Sequence, residues 1–127
     1  MTEPSTAGPD FFAPDFLARL ASAASGDSFV ARHSTLAHVR IGFQESETGR
    51  KAWLLVDEGK VTSGSGAGAA EFTFVGDAGA FRTLASGFPF NRLVRQHRLS
   101  VEGDLRACVN EWLLIYAVTR LCGELER

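Results

Sequence analysis

The chain has 127 residues, 45% of them hydrophobic and 22% charged, with a formal net charge of −2, which is the balance of an ordinary globular domain. No apolar run reaches the ~18 residues of a membrane span, and no basic tract stands on any one segment, so neither an integral membrane segment nor nucleic-acid binding is expected. The sequence predicts a cytoplasmic protein, and its eleven Arg against two Lys favour a GC-rich bacterial source. One domain over residues 10–127 is expected after a disordered tail over residues 1–9.

The first half of the chain reads as a helix followed by strands. Residues 10–24 place apolar side chains at helical spacing, and Pro14 suits the first turn of that helix. From Ala37 to Phe43 the apolar residues alternate with polar ones, which predicts a half-buried strand. Residues 51–63 then form a predicted hairpin, with the Asp57 and Glu58 carboxylates shaping its turn and Gly59 supplying a positive φ.

The second half begins with a strand over residues 71–75 and continues into helices. Asp77 is the predicted N-cap of the next helix and Gly87 its end. A short helix over residues 89–97, a strand over 98–103 and a long final helix over 105–125, capped by Asp104, complete the chain. The expected fold is α+β, with a largely antiparallel sheet of about five strands covered on one face by helices and an apolar cavity between the layers.

The final helix is apolar on two sides. One face carries Leu105, Val109, Trp112 and Tyr116, and another carries Leu114, Val118, Leu121 and Leu125. A helix that covers a sheet on one side only has a single apolar stripe, so this helix is expected to contact the sheet and also a second layer, a partner chain or a ligand. On one continuous helix, Cys108 and Cys122 lie ~21 Å apart, which excludes a disulfide between them.

The stretch "VTSGSGAGAAEFTF", residues 61–74, resembles a phosphate-binding loop only superficially. Such a loop needs a helix N-terminus after its glycines, whereas a strand follows here. The stretch is therefore interpreted as a small-residue crossover that leaves room beside the cavity, with Phe72 or Phe74 beginning the cavity wall.

Several weak motifs in the order of the chain resemble the sterol-carrier-protein type of lipid-transfer domain. The residues that match in type, order and approximate spacing are Trp53, Gly59, Thr73, Leu84, Gly87, Leu99, Val101, Gly103 and Asp104. Two positions depart from the family pattern, because Glu71 stands where Asp is usual and His97 where Gly is usual. The resemblance implies an apolar tunnel between sheet and helices, non-covalent binding of a lipid, fatty acyl or polyketide-like molecule, and no cofactor.

The predicted ligand-binding residues are mostly aromatics after residue 70 and members of the last helix. They are Phe72, Phe74, Phe81, Leu84, Phe88, Phe90, Leu93, Leu99, Val101, Trp112 and Tyr116. Two other functions stay open: a small cofactor-free enzyme with His97 and Glu71 as its acid and base, and an accessory module that docks on a larger enzyme. A homodimer also stays open, and no metal is expected, because the three histidines lack the spacing of metal ligands.

Overall fold

The computed structural model describes residues 10–35, 37–66 and 69–125, so the predicted tail over 1–9 lies outside the described residues. Its centre is one five-stranded sheet in the order β3-β2-β1-β4-β5. The strands are β1 (His38–Glu45), β2 (Lys51–Asp57), β3 (Lys60–Ser65), β4 (Phe72–Gly76) and β5 (Leu99–Gly103). Only the β1–β4 pair among these is parallel, because the crossover after edge strand β3 carries the chain past β2 and β1. The predicted α+β class and largely antiparallel sheet are confirmed.

Six α-helices and a closing 3₁₀ turn cover the sheet within the described residues. They are α1 (Pro14–Ser25), α2 (Ser28–Ser34), α3 (Ala78–Ala85), α4 (Phe90–Arg95), α5 (Leu105–Asn110), α6 (Trp112–Thr119) and the turn Arg120–Glu124. The carboxylates of Asp77 and Asp104 accept from the backbone N–H groups of Ala80 and Ala107, so both predicted N-caps are confirmed. Helix α2 was not predicted, because its seven residues bury only Val30 and Ser34 and show no apolar period.

The predicted single final helix is interrupted at Glu111, which corrects the sequence interpretation. Glu111 has φ −103° and ψ 16°, outside the helical region, and separates α5 from α6. The break has a packing reason: α5 lies against β4 and β5 at the surface, whereas α6 turns into the interior against α2. Buried Leu114 and Val118 and exposed Leu105 therefore belong to two different helices.

One face of the sheet meets the helices and the other faces outward. Ile41 pairs with Leu54 on one side and with Phe72 on the other, and all three side chains are buried beneath the helices. Trp53 and Leu55, which alternate with Leu54, lie on the outer face and are half-buried. This settles which strand residues form the core. None of the helices described in this part of the chain is long and apolar enough to cross a membrane.

Candidate functional site

The space between the sheet and the helices holds a connected cluster of aromatic rings. Phe72 and Phe74 on β4 have ring centroids 5.9 Å apart, and the Phe74 ring lies 5.6 Å from that of Phe90 on α4. Phe90 in turn lies 4.6 Å from Trp112, the first residue of α6. Ring pairs at these separations contribute more stabilising free energy than the burial of their apolar surface area alone. We call the residues Phe72, Phe74, Phe90 and Trp112 the aromatic column, which runs from the sheet to the surface of the helical layer.

The structure brings most of the other predicted lining residues against this column. Buried in the same core are Phe81, Leu84, Leu93 and Leu99. Val101, Phe88 and Tyr116 are half-buried and pack at its margin. Tyr116 faces a different neighbour, since its ring lies 6.4 Å from Phe29 of α2. The predicted set therefore lies in one core and at its margin.

The rings fill the space that the sequence analysis assigned to a ligand. Phe72, Phe74 and Phe90 are each 1% exposed, and the Phe43 ring lies 6.1 Å from that of Phe74. Interiors packed in this way leave little room beyond the side chains themselves. An apolar ligand can therefore enter only if a helix or several rings move.

Three large apolar residues of α5 and the first turn of α6 are exposed. Leu105, Val109 and Leu113 are 59%, 67% and 57% exposed. Leu105 and Val109 share one side of α5 because they are four residues apart, and Leu113 follows on α6, beyond the break at Glu111. Half-buried Trp112, next to Leu113, joins this surface to the Phe90 ring beneath it. We call Leu105, Val109 and Leu113 the apolar stripe. In contrast, Leu114, Val118 and Leu121, on the second apolar face of the predicted final helix, are buried in the core.

Helix α5 is held to the domain by few buried groups. Cys108 is the one buried residue of its six. Elements with little buried apolar surface are the ones that open locally at the lowest free-energy cost. Helix α5 is therefore an element that can open locally at a low free-energy cost.

The far end of the core is closed by residues that precede α1. The Phe11 ring lies 4.8 Å from Phe43, and the Phe12 ring lies 4.7 Å from Phe81. Asp10 accepts two hydrogen bonds from the Arg50 guanidinium, at 2.9 and 3.2 Å, and fixes this segment to the β1–β2 connection. The Phe11–Phe12 pair thus plugs the end of the core opposite the apolar stripe.

A buried carboxylate supports that plug. Glu45 is 2% exposed and accepts from the Thr48 hydroxyl at 2.6 Å and from Arg50 Nε at 2.7 Å. The hydrogen bond from Thr48, followed by that from Arg50, holds the pKa of Glu45 below its ordinary value. The same contacts with Asp10 and Glu45 raise the pKa of Arg50, so this guanidinium links two anions.

The two candidate acid–base residues are not brought together. Glu71 is exposed at the beginning of β4, where its carboxylate accepts from the Arg40 backbone N–H at 2.8 Å. His97 is exposed in the turn before β5, with φ +63°. Strand β5 runs antiparallel to β4, and its first residue, Leu99, pairs with Gly76 at the end of β4. His97 therefore lies near the end of β4 and Glu71 at its beginning, about 15 Å apart along the strand.

The cysteine thiols are equally remote from nucleophilic chemistry. Burial raises the pKa of Cys108 to about 11 and that of Cys122 to about 12. Both thiols therefore stay protonated at neutral pH, and a thiol is a far weaker nucleophile than a thiolate. Their role is apolar packing in the core.

Gly64 and Gly66, the described glycines of the small-residue stretch, lie toward the outer face of the sheet. Gly66 and Ala70 line a depression of about 80 Å³ with Gly42, Trp53 and Thr73. Gly64 is needed where it stands, because a Cβ there would lie 2.2 Å from the Trp53 ring. Gly68, the third glycine of the pattern, lies outside the described residues. These two glycines do not lie beside the aromatic column, since Phe72 and Phe74, at the end of the same stretch, are buried on the other face of the sheet.

Solved structures share this arrangement of sheet and helices. A crystal structure described as sterol carrier protein 2 superposes with a TM-score of 0.75 at 10% identity, covering 89% of this chain and 97% of the other. The chain has the sterol-carrier-protein fold. A ubiquinone synthesis protein described as UbiJ-SCP2 matches with a TM-score of 0.59 at 20% identity, over 81% of this chain and 92% of that one.

A third match is the solution structure of palmitated SCP2L2 from Aedes aegypti, with a TM-score of 0.51 at 12% identity, covering 84% of this chain and 94% of that one. Neither protein-family models nor the sequences of curated proteins match the chain. The likeness therefore lies in the sterol-carrier-protein fold, with few shared residues.

Sequence reasoning missed part of the core within this sterol-carrier-protein fold. Phe11, Phe12 and Phe43 belong to the same ring cluster as the aromatic column but were not among the predicted site residues. Strand alternation had already placed Phe43 inward, so that signal was available in the sequence. Phe11 and Phe12 stand just before Pro14, and nothing local shows that the chain folds back there against Phe81.

Proposed function

We propose that this protein binds an apolar small molecule of the lipid or fatty acyl class non-covalently, between the sheet and the α5–α6 segment. The observation that carries the proposal is the exposure of Leu105, Val109 and Leu113 in the segment that also carries Trp112, whose ring contacts that of buried Phe90. Soluble proteins rarely expose contiguous apolar surface without a binding role. The sterol-carrier-protein fold, and the palmitated neighbour with that fold, support the same class of ligand.

The α5–α6 segment is the element that we expect to move. Only Cys108 anchors α5 in the core, and the break at Glu111 supplies a hinge between the two helices. A ligand that slides beneath α5 would contact Trp112 and Phe90 on one side. The apolar stripe, which faces solvent in this state, offers apolar side chains for the other side.

The energetics of such binding are sufficient. Removing about ten methylene groups from water gains on the order of 8 kcal/mol before entropy costs. That gross gain corresponds to a dissociation constant of about 1 μM, and opening α5 and immobilising the ligand reduce it, so a ten-carbon chain is expected to bind more weakly than this. Longer acyl chains are expected to bind more tightly until the chain exceeds the length of the core.

The two tryptophans provide a site-specific test. Trp53 lies on the outer face, where Arg40 stacks 4.7 Å from its ring centroid, and Trp112 lies in the aromatic column. In a Trp53→Phe variant, the emission of Trp112 is expected to shift on titration with palmitate, decanoate or a sterol. Isothermal titration calorimetry of the wild-type protein gives the affinity for the same molecules.

The matched control is the Trp112→Phe variant, which leaves Trp53 as the reporter of the outer face. Its emission is expected to stay constant on addition of the same ligands, while circular dichroism confirms that both variants are folded. The proposal would be refuted if calorimetry detected no heat of binding for any fatty acid, sterol or polyketide-like aromatic. A change in emission confined to Trp53 would instead place the site on the outer face.

A second function, docking on a larger enzyme, is favoured by the exposure of the apolar stripe alone. A docking stripe would be covered by a protein and would not contact a small ligand. Replacing Val109 and Leu113 by Ser then separates the two functions. Weakened fatty acid binding supports the carrier, whereas unchanged fatty acid binding supports the accessory module or a homodimer, which size-exclusion chromatography distinguishes.

A further inference from the structure

Three residues just before α1 combine an exposed carboxylate with two buried aromatic rings. Asp10 is exposed, whereas the side chains of Phe11 and Phe12, which follow it directly, are buried in the core. We call Asp10, Phe11 and Phe12 the aromatic plug. An anionic head at the surface and an apolar body in the core are also the two parts of a fatty acid anion. The aromatic plug therefore occupies the end of the core in the way that such a molecule would occupy it.

The aromatic plug is held in place by its side chains. The Phe12 N–H donates to Asp10 Oδ1 at 3.1 Å, and the Ala13 N–H donates to the Asp10 carbonyl at 3.1 Å, so both of these bonds lie within the segment itself. Among the described residues, no backbone hydrogen bond joins residues 10–12 to the sheet. The attachment of the plug thus depends on two rings and one carboxylate, and a ligand can supply groups of the same kinds.

Arg50 is positioned to bind a carboxylate whether or not Asp10 is present. Its Nη1 and Nη2 atoms donate to the two oxygens of Asp10 at 2.9 and 3.2 Å, which is the bidentate arrangement of a guanidinium with a carboxylate. Its Nε donates to Glu45 at 2.7 Å, and the Glu45 side chain is only 3% exposed. This buried bond keeps the other two nitrogens directed at the position of Asp10. Arg50 also lies 5.1 Å from the Phe12 ring centroid, so it contacts both parts of the plug.

Exchange of one carboxylate for another on Arg50 changes the free energy little. The side chains of Asp10 and Arg50 are 49% and 45% exposed, and ion pairs that are this exposed contribute little to stability. A ligand carboxylate in the place of Asp10 keeps both hydrogen bonds to the guanidinium. The apolar part then decides the outcome, because each methylene brought into the core strengthens binding about fourfold. Long acyl chains can therefore replace the two rings, whereas short ones cannot.

Space and a path for an acyl tail already exist beside the aromatic plug. A cavity of about 140 Å³ is lined in part by Asp10 and Arg50, where the head group and the first methylenes of a ligand would enter. From the plug the rings continue inward. The Phe11 ring lies 4.8 Å from that of Phe43, and the Phe43 ring lies 6.1 Å from that of Phe74 in the aromatic column. A tail that replaces Phe11 is thus directed toward the column.

We propose that the aromatic plug is a built-in competitor of an amphiphile with a carboxylate head and a long apolar tail. The ligand carboxylate takes the place of Asp10 on Arg50, and the tail takes the place of the two rings and continues toward the aromatic column. This inference rests on the proposed function for the class of ligand. It adds the position of the head group and the part of the chain that the ligand displaces.

The role of Asp10 as competitor is tested by calorimetry of the full chain with dodecanoate. Asp10→Asn weakens the hold of the plug on Arg50, so it is expected to bind dodecanoate about threefold more tightly than the wild type. The matched control is Asp15→Asn, which removes the same charge from an exposed position in the first turn of α1. This control is expected to bind as the wild type does.

The position of the head group is tested with 1-dodecanol, which has the same chain length as dodecanoate and no charge. The wild type is expected to bind dodecanoate about threefold more tightly than the alcohol, since only the carboxylate pairs with Arg50. This preference is expected to be lost in the double variant Glu45→Gln with Arg50→Gln, which leaves no unpaired buried carboxylate behind. Circular dichroism checks that the double variant is folded.

Hydrogen–deuterium exchange shows directly whether the plug is displaced. Saturating dodecanoate is expected to speed the exchange of the amides of residues 11–13. Dodecanoate that binds without speeding this exchange, together with equal affinities of Asp10→Asn and Asp15→Asn, would overturn the plug and leave the proposed function standing. Binding by Asp10→Asn but not by the wild type would support the plug and contradict entry beneath α5. Absence of binding in every variant would overturn both.

Discussion

Replacing Phe90 by Ala removes the ring that joins the sheet side of the aromatic column to Trp112. Phe90 is 1% exposed, with its ring 5.6 Å from Phe74 and 4.6 Å from Trp112. Phe→Ala substitutions at such buried sites cost about 3–5 kcal/mol. With a urea m-value of about 2 kcal/mol/M, the unfolding midpoint is expected to fall by about 2 M.

The same variant also tests the binding site. An apolar cavity left by a deleted ring stays dry and accepts apolar molecules, so palmitate is expected to raise the melting temperature of Phe90→Ala more than that of the wild type. Phe16→Ala is the control, since Phe16 is 4% exposed on α1 and its ring lies 5.9 Å from Phe11, away from Trp112. A loss below about 1 kcal/mol on Phe90→Ala, far under the range for buried rings, or equal ligand rescue of both variants, would refute the reasoning.

Three further predictions concern a helix cap, a glycine contact and a buried carboxylate. Asp104→Ala and Asp77→Ala each remove an N-cap and are expected to lose about 1 kcal/mol of stability in urea unfolding. Only Asp104→Ala, which loosens α5, is expected to speed fatty acid association in stopped-flow fluorescence. Equal association rates in the two variants would contradict a hinge at Glu111. Gly87→Ala is expected to lower the melting temperature more than Gly49→Ala. Both glycines have a positive φ, but only a Cβ added at Gly87 would meet backbone, at 2.7 Å from Gly123 Cα. Equal losses of melting temperature would contradict this contact. The pKa of Glu45 is lowered in the folded protein, so its contribution to stability is present above its ordinary pKa of 4.5 and is lost as pH falls through the folded value. In this acidic range the urea midpoint of the wild type is therefore expected to fall more steeply than that of Glu45→Gln. Parallel pH profiles of the two proteins would show that Glu45 does not titrate with unfolding.

Local patterns predicted the strands and the helix caps because their causes are local. The alternation from Ala37 to Phe43 fixes which strand residues face the helices, and the carboxylates of Asp77 and Asp104 satisfy the N–H groups three residues later. The resemblance extended the prediction from single elements to the whole fold. Motifs spread along the chain indicated the sterol-carrier-protein fold that the solved structures share.

Features set by tertiary packing could not be predicted in the same way. The break at Glu111 depends on α6 turning inward against α2, which the continuous helical pattern of residues 105–125 conceals. Whether a set of apolar residues encloses a cavity or fills it depends on how the rings of Phe72, Phe74 and Phe90 meet, and composition does not specify this.

The most direct test of the central claim is a nuclear Overhauser experiment between isotope-labelled palmitate and the two indole rings. Binding beneath α5 predicts cross-peaks from the palmitate methylenes to Trp112 and Phe90, with none to Trp53. Cross-peaks to Trp53, or to Leu17 and Ala18, which line a groove of about 240 Å³ between α1 and β3, would contradict a site in the aromatic column.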